Sequence, residues 1–249
     1  MIYSLGEKKP SFDKEKVWIA DSADLIGDVL LDDTDFRRDP RIGYFIKLDR
    51  WQWPNRTPQE SSWFQYDLET TGYIPIIDQK LILVLTQYLS TSKVITPGKV
   101  EKYTCTAQQI LLYPKCQEIV NETYKRDLEN SKKGRATALG GFERLRGYPE
   151  GRFFDEHTNF RGIEFRYYFE SVDLDFDIIF AKGFLAEFQI AGFYEQGTVS
   201  PSLGKNFWNN FKDSYGLGIR LITGSAVARI DVGFSDEGSA TTAYWDYPF

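Results

Sequence analysis

A single histidine and a single methionine stand in this chain of 249 residues, and its two cysteines have no CxxC spacing. Two cysteines and one histidine are too few ligands for a structural zinc site at any standard spacing, so no metal is expected. One histidine, His157, also leaves no Ser-His-Asp arrangement to build on, and it reads as a loop residue without a catalytic role. No apolar run approaches the roughly 18 residues that a transmembrane helix needs. The opening "MIYSLGEKKPSFDKEK" lacks the apolar stretch of a signal peptide. An excess of positive charge is missing too: the net charge is −6 and the pI about 5.0, which disfavours nucleic acid as a partner. No GK[ST] follows the glycine-rich "LGGFERLRGYPEG", which argues against a phosphate-binding loop, and no cofactor is expected. Cys105 and Cys116 are either two unrelated thiols or a disulfide closing a short loop in an oxidising space, and their spacing leaves both readings open.

What the chain has is aromatic residues, at 16%, and 20 glycines, a tilt that favours strands over helices. Mean hydropathy is −0.41, soluble on average. That average misleads for a transmembrane β-barrel, whose lipid-facing apolar and lumen-facing polar residues cancel. The stretch "WIADSADLIGDVLL" loosely resembles one coil of a hexapeptide β-helix, but such coils need about three repeats to bury a core and none follow. From Gly43 onward, strict alternation appears. Tyr44, Ile46 and Leu48 oppose Lys47 and Asp49; Phe64, Tyr66 and Leu68 oppose Gln65, Asp67 and Glu69. "KLILVLTQYL" reads as a strand with a less clear polar face.

The pattern breaks from Pro97 to Ala138, a long insertion in which "QEIVNETYKRDLENSKK" is charged and reads as helix. Inserted loops of this length are usually functional or disordered. Strands then return. Ile163, Phe165, Tyr167 and Phe169 oppose Gly162, Glu164 and Arg166. Phe184, Ala186, Phe188 and Ile190 alternate with Glu187, Gln189 and, further on, Glu195. Tyr215, Leu217, Ile219 and Leu221 oppose Gly216, Gly218 and Arg220. Ala228, Ile230, Val232 and Phe234 oppose Arg229, Asp231 and Gly233. Ala243, Trp245, Tyr247 and Phe249 oppose Thr242, Tyr244 and Asp246. A soluble sandwich and a membrane barrel both alternate in this way and differ in which face is outside. Strand length, aromatics near strand ends and the aromatic C-terminus lean towards the barrel.

At this point the residues resemble the bacterial surface antigen family of BamA-like outer-membrane assembly and secretion proteins. Its long loop carries a Gly-Gly pair and then a [VL]RG[FY] motif, matched here by Gly140-Gly141 and Leu145-Arg146-Gly147-Tyr148. The strand after it carries an acidic residue in an "sLEfr"-type pattern, matched by "GIEFRYYF" with Glu164. A later "f.D.G" is matched by "GFYEQG" with Glu195 in place of Asp, and a "yG.GlR" strand by "SYGLGIR". The chain ends, as that family does, on an aromatic, Phe249. Upstream, "DTDFRRDPRIG" is similar to a shorter form of the family's "D.RD…P..G" signature.

The resemblance implies an all-β fold, the C-terminal portion of an antiparallel transmembrane β-barrel of about nine strands. Residues 1–249 would form a single barrel portion, with a long loop over 97–159 carrying the motif and the last five strands over 160–249. Family barrels have roughly sixteen strands, an even number, and nothing here resembles their periplasmic POTRA domains. The chain therefore reads as a fragment, processed form or reduced relative, located in the outer membrane. The implied role is assembly and insertion of outer-membrane proteins or translocation of secreted ones, without enzymatic activity. Implied partners are outer-membrane lipid, client outer-membrane or secreted proteins, and accessory assembly subunits. Within the site, Arg146 would reach the inward carboxylates of Glu164 and Glu195. Gly147 would permit close backbone approach, and Tyr148 would pack on the lumen wall. The terminal strand, with Tyr244, Trp245, Tyr247 and Phe249, would carry an assembly signal beside a labile seam. The rival reading is a soluble secreted β-sandwich glycoside hydrolase or carbohydrate-binding protein, with Glu164 and Glu195 as acid and nucleophile.

Overall fold

The computed structural model describes residues 18–20, 23–35, 39–169, 174–178, 181–223 and 227–245. Among them are β1 (Trp18–Ala20), β2 (Ala23–Asp32), β3 (Gly43–Trp53), β4 (Ser62–Ile77), β5 (Leu81–Thr96), β6 (His157–Tyr168), β7 (Leu174–Ile178), β8 (Ala181–Ser200), β9 (Lys212–Thr223), β10 (Val227–Ser235) and β11 (Gly238–Trp245). They follow one another through a sheet in the order β1-β2-β3-β4-β5-β6-β8-β9-β10-β11, with β7 paired to β8. The pairs β1–β2, β6–β8, β8–β9, β9–β10 and β10–β11 are antiparallel. The chain is thus all-β and chiefly antiparallel. Among the described residues no pairing joins β1 to β11.

At four points the structure extends or corrects the sequence reading. Eleven strands are found among the described residues, more than the nine expected. The stretch "WIADSADLIGDVLL", considered only as a β-helix coil, forms the β1–β2 hairpin. The short β7 raises the strands after the long loop to six. His157 opens β6 and pairs with Ser200, so it is a strand residue and the loop closes one step before it.

The described chain falls into two compact units. One draws on residues up to Asp28, on Asp49–Tyr66 and on Thr91–Arg135. Here Trp53 stacks on Trp63 with centroids 5.4 Å apart, and the Arg50 guanidinium lies 4.2 Å above the Phe64 ring. This unit also holds α1 (Ala107–Leu112) and α2 (Cys116–Asn130), the latter over the charged segment that reads as helix. Cys105 and Cys116 are joined in a disulfide, Cα atoms 6.3 Å apart, which settles the two readings left open by their spacing.

The other unit comprises Val29–Leu48, Asp67–Ser90 and Ala136–Phe249. Its strands alternate as the sequence dictates, but with the apolar face out. On β9, Tyr215, Leu217 and Ile219 are 59%, 65% and 51% exposed, while Ser214 and Arg220 are at 0%. The same inversion holds on β6, where Ile163, Phe165 and Tyr167 are exposed and Glu164 and Arg166 fully buried. On β10, Ile230 and Phe234 are exposed and Arg229 and Asp231 buried. Leaving each large apolar side chain in water forgoes about 1.5–3 kcal/mol. Contiguous exposed apolar faces of this kind mark contact with a membrane, a partner protein or a ligand. Inside, two apolar clusters flank the charges. One contains Tyr73, Ile82, Val84, Tyr168, Ile222 and Val227, the other Tyr88, Leu139, Leu145, Tyr148 and Phe160. Along the inward face of β6, Glu164 and Arg166 sit between Phe160 of one cluster and Tyr168 of the other.

Candidate functional site

The loop that leads into β6 doubles back on itself before entering the buried side of the sheet. Leu139 and Phe153 pair as an isolated antiparallel bridge. Between them Gly140 and Gly141 adopt φ of 104° and 107°, in the region that only glycine occupies easily. A Cβ on Gly140 would lie 2.2 Å from the Pro149 carbonyl oxygen. The amide N–H of Gly141 donates to the Tyr148 carbonyl and that of Tyr148 to the Leu145 carbonyl, each at 3.0 Å. Leu145 itself takes φ 58°, a costly conformation for a branched residue. Its fully buried side chain in the apolar cluster with Leu139 offsets that cost.

This turn aims Arg146 at the inward faces of the strands. Its backbone N–H donates to Glu195 Oε2 at 2.8 Å and its Nε to Glu195 Oε1 at 2.7 Å. Nη2 donates to Glu164 at 2.9 Å and Nη1 to Asp231 at 2.9 Å. The guanidinium lies 3.5 Å above the Phe193 ring. Arg146, Glu164 and Glu195 are all 0% exposed. The planar five-donor fork of arginine is what allows one side chain to meet three carboxylates at once.

The carboxylates are themselves held. Arg220 forks onto Glu164 at 2.6 and 2.8 Å, and Arg166 donates to it at 2.7 Å. Gln189 accepts from Arg220, and Ser214 donates to Glu195. Arg229 bonds both Asp231 and the Phe142 carbonyl. Such a buried network contributes less to net stability than to specifying one arrangement, because each ion was removed from water.

One glycine on the loop and one on the facing strand β10 make the recess. A Cβ on Gly147 would lie 2.6 Å from the Phe234 carbonyl oxygen, and one on Gly233 would lie 2.6 Å from the Arg146 carbonyl. Beyond the tip, the loop fastens to the β10–β11 turn. Tyr148 Oη donates to Asp236, which also accepts from Lys212 at 2.6 Å, and Arg152 forks onto Glu237 at 2.8 and 2.9 Å. Phe142 stacks on Tyr244 with centroids 4.2 Å apart. The bonds from Lys212 and Tyr148 hold the Asp236 carboxyl below its ordinary pKa. Burial, then the Asp236 hydrogen bond, pushes the Tyr148 phenol above its ordinary value.

The structure therefore gathers Gly140, Gly141, Leu145, Arg146, Gly147, Tyr148, Glu164 and Glu195 into one site. Sequence reasoning put Arg166, Arg220, Arg229 and Asp231 on polar faces but named none of them as a partner. Their shared parity with Glu164 and Glu195 was the available signal. Tyr247 and Phe249 lie outside the described residues, while Trp245 ends β11 at 67% exposure. Glu164 and Glu195, the carboxylates that the glycosidase reading would use, both accept hydrogen bonds from Arg146. Among the described residues no cluster of His, Cys, Asp and Glu is arranged to hold a metal. A comparison with protein-family models and with curated proteins finds no match.

Proposed function

We propose that this chain belongs to an outer-membrane β-barrel of the assembly and secretion type, with the Arg146 loop tucked into its lumen. One observation carries the reading: the sheet is inverted, with Leu217, Ile219, Phe165 and Ile230 outward and Glu164, Glu195, Arg220 and Asp231 buried. That polarity suits a lipid exterior and a polar interior. The buried arginine–carboxylate node supports the resemblance to BamA-like proteins. The disulfide in the long loop fits an oxidising, extracytoplasmic location. In this role the protein performs no bond chemistry. Its edge strand offers unpaired backbone groups to the strands of a client outer-membrane or secreted protein, which is β-augmentation within a bilayer.

The test starts with the chain refolded in detergent. Heat-modifiable gel migration is expected, and full solubility of the native chain without detergent would sink the reading. The assembly role is checked by the folding rate of a small client barrel into vesicles containing this chain. Acceleration by the native protein and none by Arg146→Glu is the expected result.

A further inference from the structure

The insertion between β5 and β6 carries the most exposed apolar side chains of the described residues, and the lumen site does not use them. Leu111, Leu112 and Tyr113 are 84%, 74% and 70% exposed, with Ile110 at 43% beside them. They sit on α1 and its C-cap, a helix that buries none of its residues. A helix of this length is marginal in water by itself, yet this one is pinned from several sides. Thr106 and Gln109 cap it reciprocally. The Cys105–Cys116 disulfide closes its base, and the Cys105 N–H donates to Gln117 Oε1 at 3.1 Å. Tyr103 Oη donates to Gln109 at 2.8 Å. The chain thus holds an apolar tip in the open, where collapse onto the protein would otherwise stabilise it.

Charge indicates what covers the tip. Between Lys102 and Gln117 the only charged residues are Lys102 and Lys115, both exposed. Residues 97–135 carry eight basic and five acidic side chains, in a protein whose net charge is −6. We propose that the disulfide-closed segment Lys102–Cys116 is a lipid-docking tip. Ile110, Leu111 and Leu112 enter the acyl boundary of a bilayer, and Tyr103 and Tyr113 lie at headgroup level. Lys102 and Lys115 meet anionic lipid headgroups. Apolar residues flanked by lysine and tyrosine are the chemistry of interfacial binding. A protein groove would satisfy the leucines but would make no use of Lys102 and Lys115, the two charges of that segment.

The inference rests on the membrane reading above, and the experiment separates the two. The full chain is placed in nanodiscs of phosphatidylcholine, or of phosphatidylcholine with roughly a third phosphatidylglycerol. Heat-modifiable migration in the same samples reports the sheet, and amide hydrogen exchange of residues 107–113 reports the tip. With the anionic lipid, exchange there is expected to slow about tenfold relative to detergent. The slowing should weaken in high salt and vanish in the Leu111→Asp, Leu112→Asp double variant, whose strands keep native exchange. Equal exchange in detergent and in both nanodiscs overturns the proposal. So does slowing that follows protein concentration, which would mark a second copy as the occupant. A chain that migrates heat-modifiably but leaves its tip unprotected defeats the docking tip alone.

Discussion

Arg146 answers to three strands at once, so its replacement reaches further than a surface ion pair would. Arg146→Ala leaves Glu164, Glu195 and Asp231 buried around a missing cation, and a loss of about 3–5 kcal/mol is expected. The midpoint of urea unfolding in detergent measures it. Arg146→Lys should recover little of this, because an ammonium cannot fork across three carboxylates. In the cycle pairing Arg146→Glu with Glu195→Arg, coupling is expected, and strict additivity would show that the two do not hold each other. Gly147 makes a different point. A methyl there would press against the Phe234 carbonyl, whereas one on Gly72 would meet open space. Gly147→Ala should expel the loop, seen as faster protease cutting between residues 139 and 151 with the heat-modifiable band kept. Gly72→Ala should leave both unchanged.

At the scale of elements, the loop is a latch with a second fastening. Its contacts with the β10–β11 turn run through Tyr148, Asp236 and Lys212 and through Arg152 and Glu237. Asp236 is held below its ordinary pKa, so its contribution is complete above that ordinary value and is lost as pH falls through the lowered one. Tyr148 is shifted up, so its contribution is complete below the ordinary tyrosine value and is lost as pH rises towards the raised one. Hydrogen exchange of the β10–β11 turn should therefore be slowest between these limits and quicken at both. Asp236→Asn should remove the acid limb and bring the basic limb to lower pH, since the carboxylate helps to raise Tyr148. In the insertion, reduction of Cys105–Cys116 should release α1 at a local cost of about 2–3 kcal/mol. Exchange at 107–112 should quicken while β6 to β11 keep their native exchange.

For the molecule as a whole, the inverted polarity sets the expectation. Leu217→Arg places a charge on the outward face of β9, where the native side chain is 65% exposed. In a bilayer this substitution near the midplane costs about 2–4 kcal/mol, whereas on a water-facing surface it would be neutral or favourable. The refolding yield of Leu217→Arg into vesicles, set against that of a charge-neutral Leu217→Ala, decides between the two surroundings.

The strands and the parity of their faces were legible in the residues alone, because period-two alternation is a local property of extended backbone. The sequence thereby placed Glu164, Glu195 and Arg220 on one side and Leu217 and Ile219 on the other, and it marked residues 139–148 as a turn of special geometry. It left open which face was inside, since period-two alternation reads the same with either face buried. Tertiary structure decided this, along with the third carboxylate of the node. Asp231 lies 85 residues from Arg146 and is brought to it only by the pairing of β9 with β10. The disulfide, the hairpin at β1–β2 and the fastening of Tyr148 to Asp236 were settled in the same way. Each joins residues whose proximity arises from chain closure and register, which no local pattern encodes.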